Sequence, residues 1–158
     1  MAIMIFDLDG TVICTKHRYR NIPGTNTIDL DYWIENSTAE KIALDSLLPL
    51  ADVWKRYRDE GHTIVVCTAR VMGEHDIAFL ANNDLIYDHL LSRPLGDMSR
   101  DGDLKSRLLA EWADANWLPA NWRDNAIMFD DNLGVIERML AENLLTYDAT
   151  RLNKKLAA

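Results

Sequence analysis

The stretch "IMIFDLDGTV" (residues 3–12) decides the fold, because it joins a candidate buried strand to a pair of acids. The apolar run "IMIF" precedes Asp7, and Asp9 and Gly10 follow at once. A short continuous apolar run is typical of a strand that is covered on both faces. Carboxylates at the edge of a core are costly unless something binds them. The stretch therefore predicts a central strand that ends in a ligand site.

Two other runs have the same character, namely "TIVVC" (63–67) and "AIMF" (126–129), and weaker strand candidates are "LIYDHLL" (85–91) and "LLTYD" (144–148). Longer amphipathic segments separate them. Alternating strands and helices predict an α/β protein, a three-layer α/β/α sandwich with a parallel, Rossmann-like sheet.

Local signals predict where some helices begin and end. "STAE" (37–40) has the pattern of a capping box, Pro49 is placed to open a helix, and Gly61 to stop it. The segment "WADANWLPANW" (112–122) carries three tryptophans at intervals of five. We expect them to pack into the core, with a stacking platform for bases as the alternative.

The amino-acid composition limits the classes of protein to which the chain can belong. The chain has 158 residues, 48% of them hydrophobic and 27% charged, which predicts one globular domain over 1–158. Its net charge of −8 argues against nucleic-acid binding over the whole surface, because phosphate neutralisation needs clustered Lys and Arg. The only cysteines, Cys14 and Cys67, indicate a reduced cytoplasmic chain, or the host cytoplasm if a phage encodes it. We expect no signal peptide and no membrane span.

Polar residues follow the carboxyl ends of the predicted strands. Ligands bind beyond these ends in open α/β sheets. Several carboxylates in one crevice repel each other unless a hard cation joins them, and ligation by oxygen alone points to Mg²⁺. A lysine and a hydroxyl suit the oxygens of a phosphoryl group, and a carboxylate beside Mg²⁺ can attack phosphorus to give an aspartyl-phosphate. The candidates are Asp7, Asp9, Thr68, Arg70, Lys105, Asp130 and Asp131.

"FDLDGTV", "VVCTAR", the isolated Lys105 and "MFDDN" resemble the four ordered motifs of the haloacid dehalogenase superfamily of phosphotransferases. The resemblance implies that Asp7 is the nucleophile and Asp9 the general acid/base. It implies that Thr68 and Lys105 bind the phosphoryl group. The implied Mg²⁺ ligands are Asp7, the backbone carbonyl of Asp9, Asp131 and, directly or through water, Asp130.

The acid at position 9 selects among the reactions of that superfamily. An acid two residues after the nucleophile can protonate a departing alkoxide, so phosphate-ester hydrolysis is favoured over dehalogenation. The chain has room for a flap at about 13–37 but for no large cap domain, which predicts an open site.

A closer resemblance is to the 3′-phosphatase domain of bacteriophage-type polynucleotide kinase/phosphatase. Arg18 lies nine residues after Asp9, Arg70 two after Thr68, and Asp101 four before Lys105. The resemblance implies that Arg18, Arg70 and Asp101 bind substrate. No G-x-x-x-x-G-K-[ST] occurs, so the kinase half of that family is absent.

The sequence thus predicts a Mg²⁺-dependent phosphomonoesterase that acts on nucleotides or on polynucleotide 3′-phosphate ends. Two alternatives stay open. One is the same chemistry on a small phosphomonoester that is not a nucleotide, and the other is a binding module that has kept the fold and lost the reaction.

Overall fold

A five-stranded parallel sheet forms the centre of the molecule. The computed structural model describes all 158 residues. The strands are β1 (Ile3–Phe6), β2 (Ile13–Cys14), β3 (Ser46–Leu47), β4 (Thr63–Thr68), β5 (His89–Ser92), β6 (Ala126–Asp130) and β7 (Leu145–Asp148). The strand order in the five-stranded sheet is β5-β4-β1-β6-β7. The chain builds outward from β1 to β4 and β5, then returns to the other side of β1 for β6 and β7.

The chain has seven α-helices and two 3₁₀ turns, with six of the helices between strands and the seventh after β7. Pro49 precedes a helix and Gly61, at a φ of +88°, follows its end, as predicted. The predicted capping box at 37–40 is wrong, because Thr38 is the N-cap and accepts from the Lys41 backbone N–H. The helices are α1 (Leu30–Glu35), α2 (Ala39–Ala43), α3 (Leu50–Asp59), α4 (Glu74–Asn82), α5 (Asp101–Ala115), α6 (Leu133–Ala141) and α7 (Ala149–Ala157), and the turns are Lys16–Arg18 and Trp122–Asn125.

Two hydrophobic clusters lie on opposite faces of the sheet, because successive residues of a strand point to opposite sides. On one face Phe6 stacks between Trp54 of α3 and Phe129, with ring centroids 5.2 and 4.8 Å away. On the other face Ile5 and Cys67 pack against α5 and α6. Burying a side chain such as Phe6 contributes about 1.5–3 kcal/mol. The three-layer α/β/α sandwich predicted from the sequence is confirmed.

The flap leaves the sheet just after β1. The short antiparallel ribbon of β2 and β3 forms its base, pairing Ile13 with Leu47. Residues 15–45 lie between these strands and include α1 and α2, so the insertion extends past the 13–37 expected from the sequence.

Trp117 differs from the sequence expectation. Trp112 and Trp122 are buried in the core with their rings in edge-to-face contact, but 92% of Trp117 is exposed. Helix α5 ends at Ala115, and Trp117 then takes a left-handed φ of +56° in the following turn. The regular spacing of the tryptophans therefore does not give them a common environment.

None of the helices combines the length and the apolar character that crossing a lipid bilayer requires.

Candidate active site

Three adjacent strands bring the candidate residues to one edge of the sheet. Phe6 of β1 is level with Val66 of β4 and with Phe129 of β6, so the next residue of each strand lies at the same height. Asp7 follows β1 and donates its backbone N–H to the carbonyl of Phe129 at 3.0 Å. Thr68 ends β4 and Asp130 ends β6. The carboxyl ends of parallel strands therefore gather these side chains, as expected at such an edge.

Lys105 joins two of the carboxylates. It lies in the second turn of α5, and its ammonium donates to Asp7 Oδ1 at 2.9 Å and to Asp130 Oδ2 at 2.6 Å. Its side chain is only 2% exposed. Burial acts to lower the pKa of Lys105, but the charges of Asp130 and Asp7 more than offset this and raise the pKa well above its ordinary value. Lys105 is therefore a fixed positive charge beside Asp7.

Asp7, Asp130 and Asp131 form a compact carboxylate cluster. One oxygen from each lies within 4.8 Å of the others, a spacing that a single cation can bridge. Burial, followed by the charge of Asp7, raises the pKa of both Asp130 and Asp131. The cluster is an electrostatically unfavourable arrangement of acids, and oxygen ligands of this kind suit Mg²⁺.

Gly10 allows the approach of Asp131. Its φ is +77°, and a Cβ built on it would overlap Asp131 Oδ2 and lie 2.8 Å from the carboxyl carbon. Only a residue without a side chain permits both this backbone conformation and this contact.

Two threonine hydroxyls line the site. Thr68 is fully buried, and its Oγ1 accepts from the Arg70 backbone N–H at 3.0 Å, which leaves its own proton free to donate. Thr11, also fully buried, donates to Asp7 Oδ2 at 3.0 Å. Sequence reasoning missed Thr11, although its place directly after "DLDG" was a usable signal.

Asp9 is held by an arginine. Arg70 donates from Nε to Asp9 Oδ2 at 3.2 Å and from Nη2 to Asp9 Oδ1 at 2.5 Å. The Asp9 side chain is 29% exposed, whereas that of Arg70 is 2% exposed. The carboxylate of Asp9 lies outside the three-carboxylate cluster, and the metal role expected for its backbone carbonyl stays a prediction.

Arg18 and Asp101, two of the residues expected to bind substrate, contact other protein groups. Arg18 is fully buried and bonds Asp45 through Nε at 2.9 Å and Nη2 at 2.8 Å. Asp101 accepts from Arg93 Nη2 at 2.9 Å. Arg93 also donates to the carbonyls of Ala69, Asp97 and Ser99, each at 2.8 Å, and so fixes the loop after β5.

Sequence reasoning also missed Asp45, Asp76 and Trp33, which surround Arg18 and Arg70. No motif marks these residues, although Asp76 is only six residues from its partner Arg70, whereas Asp45 is 27 residues from Arg18.

The buried thiol beside the site is inert. Burial raises the pKa of Cys67 to about 12, and its side chain packs in the core beside Ile5 and Val65.

Solved structures with the same fold include haloacid dehalogenase-like hydrolases. The hydrolase SP0104 from Streptococcus pneumoniae aligns with a TM-score of 0.66 at 10% identity, over 98% of this chain and 91% of that one. A chain of the Pnkp1/Rnl/Hen1 RNA repair complex aligns with a TM-score of 0.64 at 22% identity, over 93% of this chain and 42% of that one.

The parallel sheet places the chain in the class of proteins with the haloacid dehalogenase fold. Within that class, the chain belongs to the Bacteriophage T5 5′-deoxynucleotidase family, whose sequence model matches residues 1–158. The 5′-deoxynucleotidase of Escherichia phage T5 is 34% identical over 86 residues, which is 52% of this chain and 35% of that protein. The match thus spans about a third of the length of this relative.

Proposed function

We propose that the protein is a Mg²⁺-dependent phosphatase that hydrolyses deoxynucleoside 5′-monophosphates through an aspartyl-phosphate on Asp7. The observation that carries the proposal is the cluster in which Lys105 bridges Asp7 and Asp130, with Asp131 beside them. Such a group of acids around one lysine has little value for packing, but it matches what a metal ion and a phosphoryl group need.

The residues present fit a magnesium ion. Asp7, Asp130 and Asp131 supply carboxylate oxygens, and the backbone carbonyl of Asp9 is a further candidate ligand. Their shared negative charge and the absence of sulfur or imidazole donors favour a hard divalent cation. When bound, such a cation neutralises the acids and polarises the phosphoryl oxygens.

Asp7 has the geometry of a nucleophile. Its carboxylate is oriented by Lys105 on Oδ1 and by Thr11 on Oδ2, so it cannot rotate away from the edge of the sheet. Lys105 and the Thr68 hydroxyl would hold the phosphoryl oxygens while the Asp7 carboxylate attacks phosphorus.

Asp9 would serve as the acid and then as the base. It first gives a proton to the departing sugar oxygen, and it then takes one from the water that cleaves the aspartyl-phosphate. Its partial exposure suits both steps, because substrate and water must reach it.

A mononucleotide is the substrate class that the observations support best. The family is described by 5′-deoxynucleotidase activity, and the net charge of −8 disfavours a long polyanion. Tyr19 of the flap is 44% exposed. Burial and the charges of Asp131, Asp101 and Asp9 raise its pKa, so its hydroxyl lies within electrostatic reach of these acids. An aromatic ring there can stack on a base.

The test is phosphate release by the purified protein with and without Mg²⁺. The panel contains the four deoxynucleoside 5′-monophosphates, their ribose counterparts, a 3′-phosphorylated oligonucleotide and 4-nitrophenyl phosphate. We expect Mg²⁺-dependent release with a preference for the deoxynucleotides. A preference for the oligonucleotide would favour a polynucleotide 3′-phosphatase, and a preference for neither would favour a different phosphomonoester.

The variant Asp7→Asn tests whether the measured phosphate release comes from this protein or from a contaminating phosphatase. It keeps the shape of the side chain and removes the nucleophile, so kcat should fall by about 10³-fold or more. Asp114→Asn, an exposed acid near the end of α5, is the matched control and should retain activity. Equal activity in Asp7→Asn and the native protein would overturn the mechanism, and no activity in any arm would favour a silent binding module.

A further inference from the structure

A network of charged residues connects the flap to Asp9. Its centre is Arg70, which bonds both oxygens of Asp9 and donates from Nη1 to Asp76 Oδ1 at 2.6 Å. Asp76 is fixed in turn, because its Oδ2 accepts from the Gly73 backbone N–H at 2.9 Å. Arg70 therefore sits between two carboxylates and has only one orientation that serves both.

The guanidinium of Arg70 is already committed to protein groups. Three of its five N–H donors go to Asp9 and Asp76, and Asp45 Oδ2 lies 4.0 Å from Nη2. Its side chain is 2% exposed. A residue that binds a substrate phosphate needs N–H donors that face the space where the substrate binds. Arg70 instead directs its Nε and Nη2 donors at the carboxylate of Asp9.

Two residues of the flap, Asp45 and Trp33, contact the guanidinium of Arg70. Asp45 is completely buried and forms a bidentate pair with Arg18 while also facing Arg70. The ring of Trp33 in α1 contacts both arginines, with the Arg18 guanidinium carbon 4.2 Å and that of Arg70 5.5 Å from its centroid. Arg18 is itself tied to α1 and α2 through Ser37, whose Oγ accepts at 3.2 Å.

The charges in this network depend on one another. Asp45 pairs with the buried Arg18 and lies 4.0 Å from Arg70, so its neutralisation would leave Arg18 without a carboxylate partner. Arg70 would then shift toward its other two carboxylate partners, Asp9 and Asp76. This shift would displace the side chain of Asp9.

We propose that Arg70 is a positioning residue for Asp9, and that Asp45, Arg18 and Trp33 hold Arg70, so that the flap sets the orientation of the acid. This inference rests on the proposed function, in which Asp9 is the acid.

The role has a consequence that depends on the leaving group. In the first step an Asp7 oxygen bonds phosphorus, the bond from phosphorus to the ester oxygen breaks, and that oxygen keeps the electron pair and takes the proton of Asp9. A sugar alkoxide is a poor leaving group and needs this proton, whereas 4-nitrophenolate leaves readily without it. Misplacing Asp9 should therefore impair hydrolysis of a nucleotide far more than hydrolysis of 4-nitrophenyl phosphate.

The experiment compares kcat/KM for a deoxynucleoside 5′-monophosphate and for 4-nitrophenyl phosphate, because kcat/KM reports on steps up to the release of the leaving group. The variants are Asp45→Asn and Arg70→Lys, with Asp9→Asn as the benchmark. General acid catalysis contributes about 10²–10⁴-fold. We expect Asp45→Asn and Arg70→Lys to lose about 10²-fold on the nucleotide and less than about tenfold on the aryl ester. Adding Asp45→Asn to Asp9→Asn should cause little further loss on the nucleotide.

The controls separate positioning from damage to the fold. Arg138→Lys changes an arginine that bonds Asp103 and Glu142 on the outer side of α5 and α6, and it should leave both activities unchanged. If Asp45→Asn is not recovered as folded protein, Trp33→Phe takes its place, because it weakens the contacts with Arg18 and Arg70 and keeps an aromatic ring.

Two results would overturn the inference in different ways. Equal losses on the two esters, or losses that add fully to those of Asp9→Asn, would show that Arg70 binds phosphate or only supports the fold. Failure of the native protein to hydrolyse either ester would overturn the proposed function, and this inference with it.

Discussion

At the scale of single residues, the contact between Gly10 and Asp131 decides how the carboxylate cluster can form. Asp131 reaches the other two acids by passing over the backbone of Gly10, where any side chain would overlap its carboxylate. The same glycine turns the chain from β1 into the flap with a φ of +77°. One residue therefore serves both the backbone turn and the cluster.

We expect Gly10→Ala to weaken both stability and Mg²⁺-dependent activity. The matched control is Gly24→Ala, because Gly24 has the same φ of +77° but nothing within 4 Å of a new Cβ. The control should lose about 1–2 kcal/mol from left-handed strain alone. Gly10→Ala should lose more, and the Mg²⁺ concentration that gives half-maximal activity should rise. Urea unfolding and Mg²⁺ titrations of activity measure these effects, and equal results for the two variants would contradict the role of the Asp131 contact.

At the scale of elements, the flap carries an exposed aromatic residue. Tyr19 follows the 3₁₀ turn that ends at the fully buried Arg18, and 44% of Tyr19 is exposed. Its hydroxyl donates to Asn21 Oδ1 at 2.9 Å, within the same segment. This arrangement favours contact with the nucleoside part of a substrate over a role in the chemistry.

Tyr19→Ala should therefore change specificity more than it changes chemistry. Base–aromatic stacking is worth about 1–3 kcal/mol, so kcat/KM for deoxynucleotides should fall by about 5–100-fold. Hydrolysis of phenyl phosphate or 4-nitrophenyl phosphate should stay within about twofold of native, because no base is present. Tyr19→Phe keeps the ring and should retain most of the activity on nucleotides. A uniform fall on all substrates in Tyr19→Ala would count against a contact with the base.

The elements differ in how well the sequence predicts them. The strands β1, β4 and β6 follow from apolar runs that are covered on both faces, whereas β5 starts only at His89 because residues 85–88 form a loop before it. The short ribbon of β2 and β3 has no pattern of its own. Trp117 is exposed because a left-handed turn, which spacing does not encode, reverses its direction.

The residues of the candidate site also differ in how well the sequence predicts them. Acids and polar residues at strand ends can be found from the sequence, because the sheet gathers all such ends at one edge. Two partners of Arg18 and Arg70 cannot, because Asp45 and Trp33 meet them only through the packing of the flap. The third, Asp76, lies at the start of α4, only six residues after Arg70.

At the scale of the whole molecule, we expect Asp130 and Asp131 to make global stability depend on pH and on added Mg²⁺. The pKa of Asp130 and Asp131 is raised in the folded protein, mainly by burial and then by the charge of Asp7. Folding thus favours their protonated forms. Their contribution to stability is fully present below the ordinary pKa of 3.8 and is lost as the pH rises through the folded values, about 7 for Asp130 and about 8 for Asp131.

Metal-free protein in EDTA should therefore be less stable at pH 8.5 than at pH 5.5, by about 1 kcal/mol or more, which lowers Tm by about 2–4 °C. Added Mg²⁺ should restore the lost stability at pH 8.5 and do little at pH 5.5, because protons then occupy the ligand oxygens. Thermal unfolding at the two pH values, with and without Mg²⁺, measures both effects. Asp131→Asn removes one of the acids and should flatten the dependence on pH and on Mg²⁺, while Asp114→Asn should preserve it. If native protein and Asp131→Asn lose stability equally as the pH rises, other groups such as the four histidines carry the effect and the cluster does not set the stability of the fold.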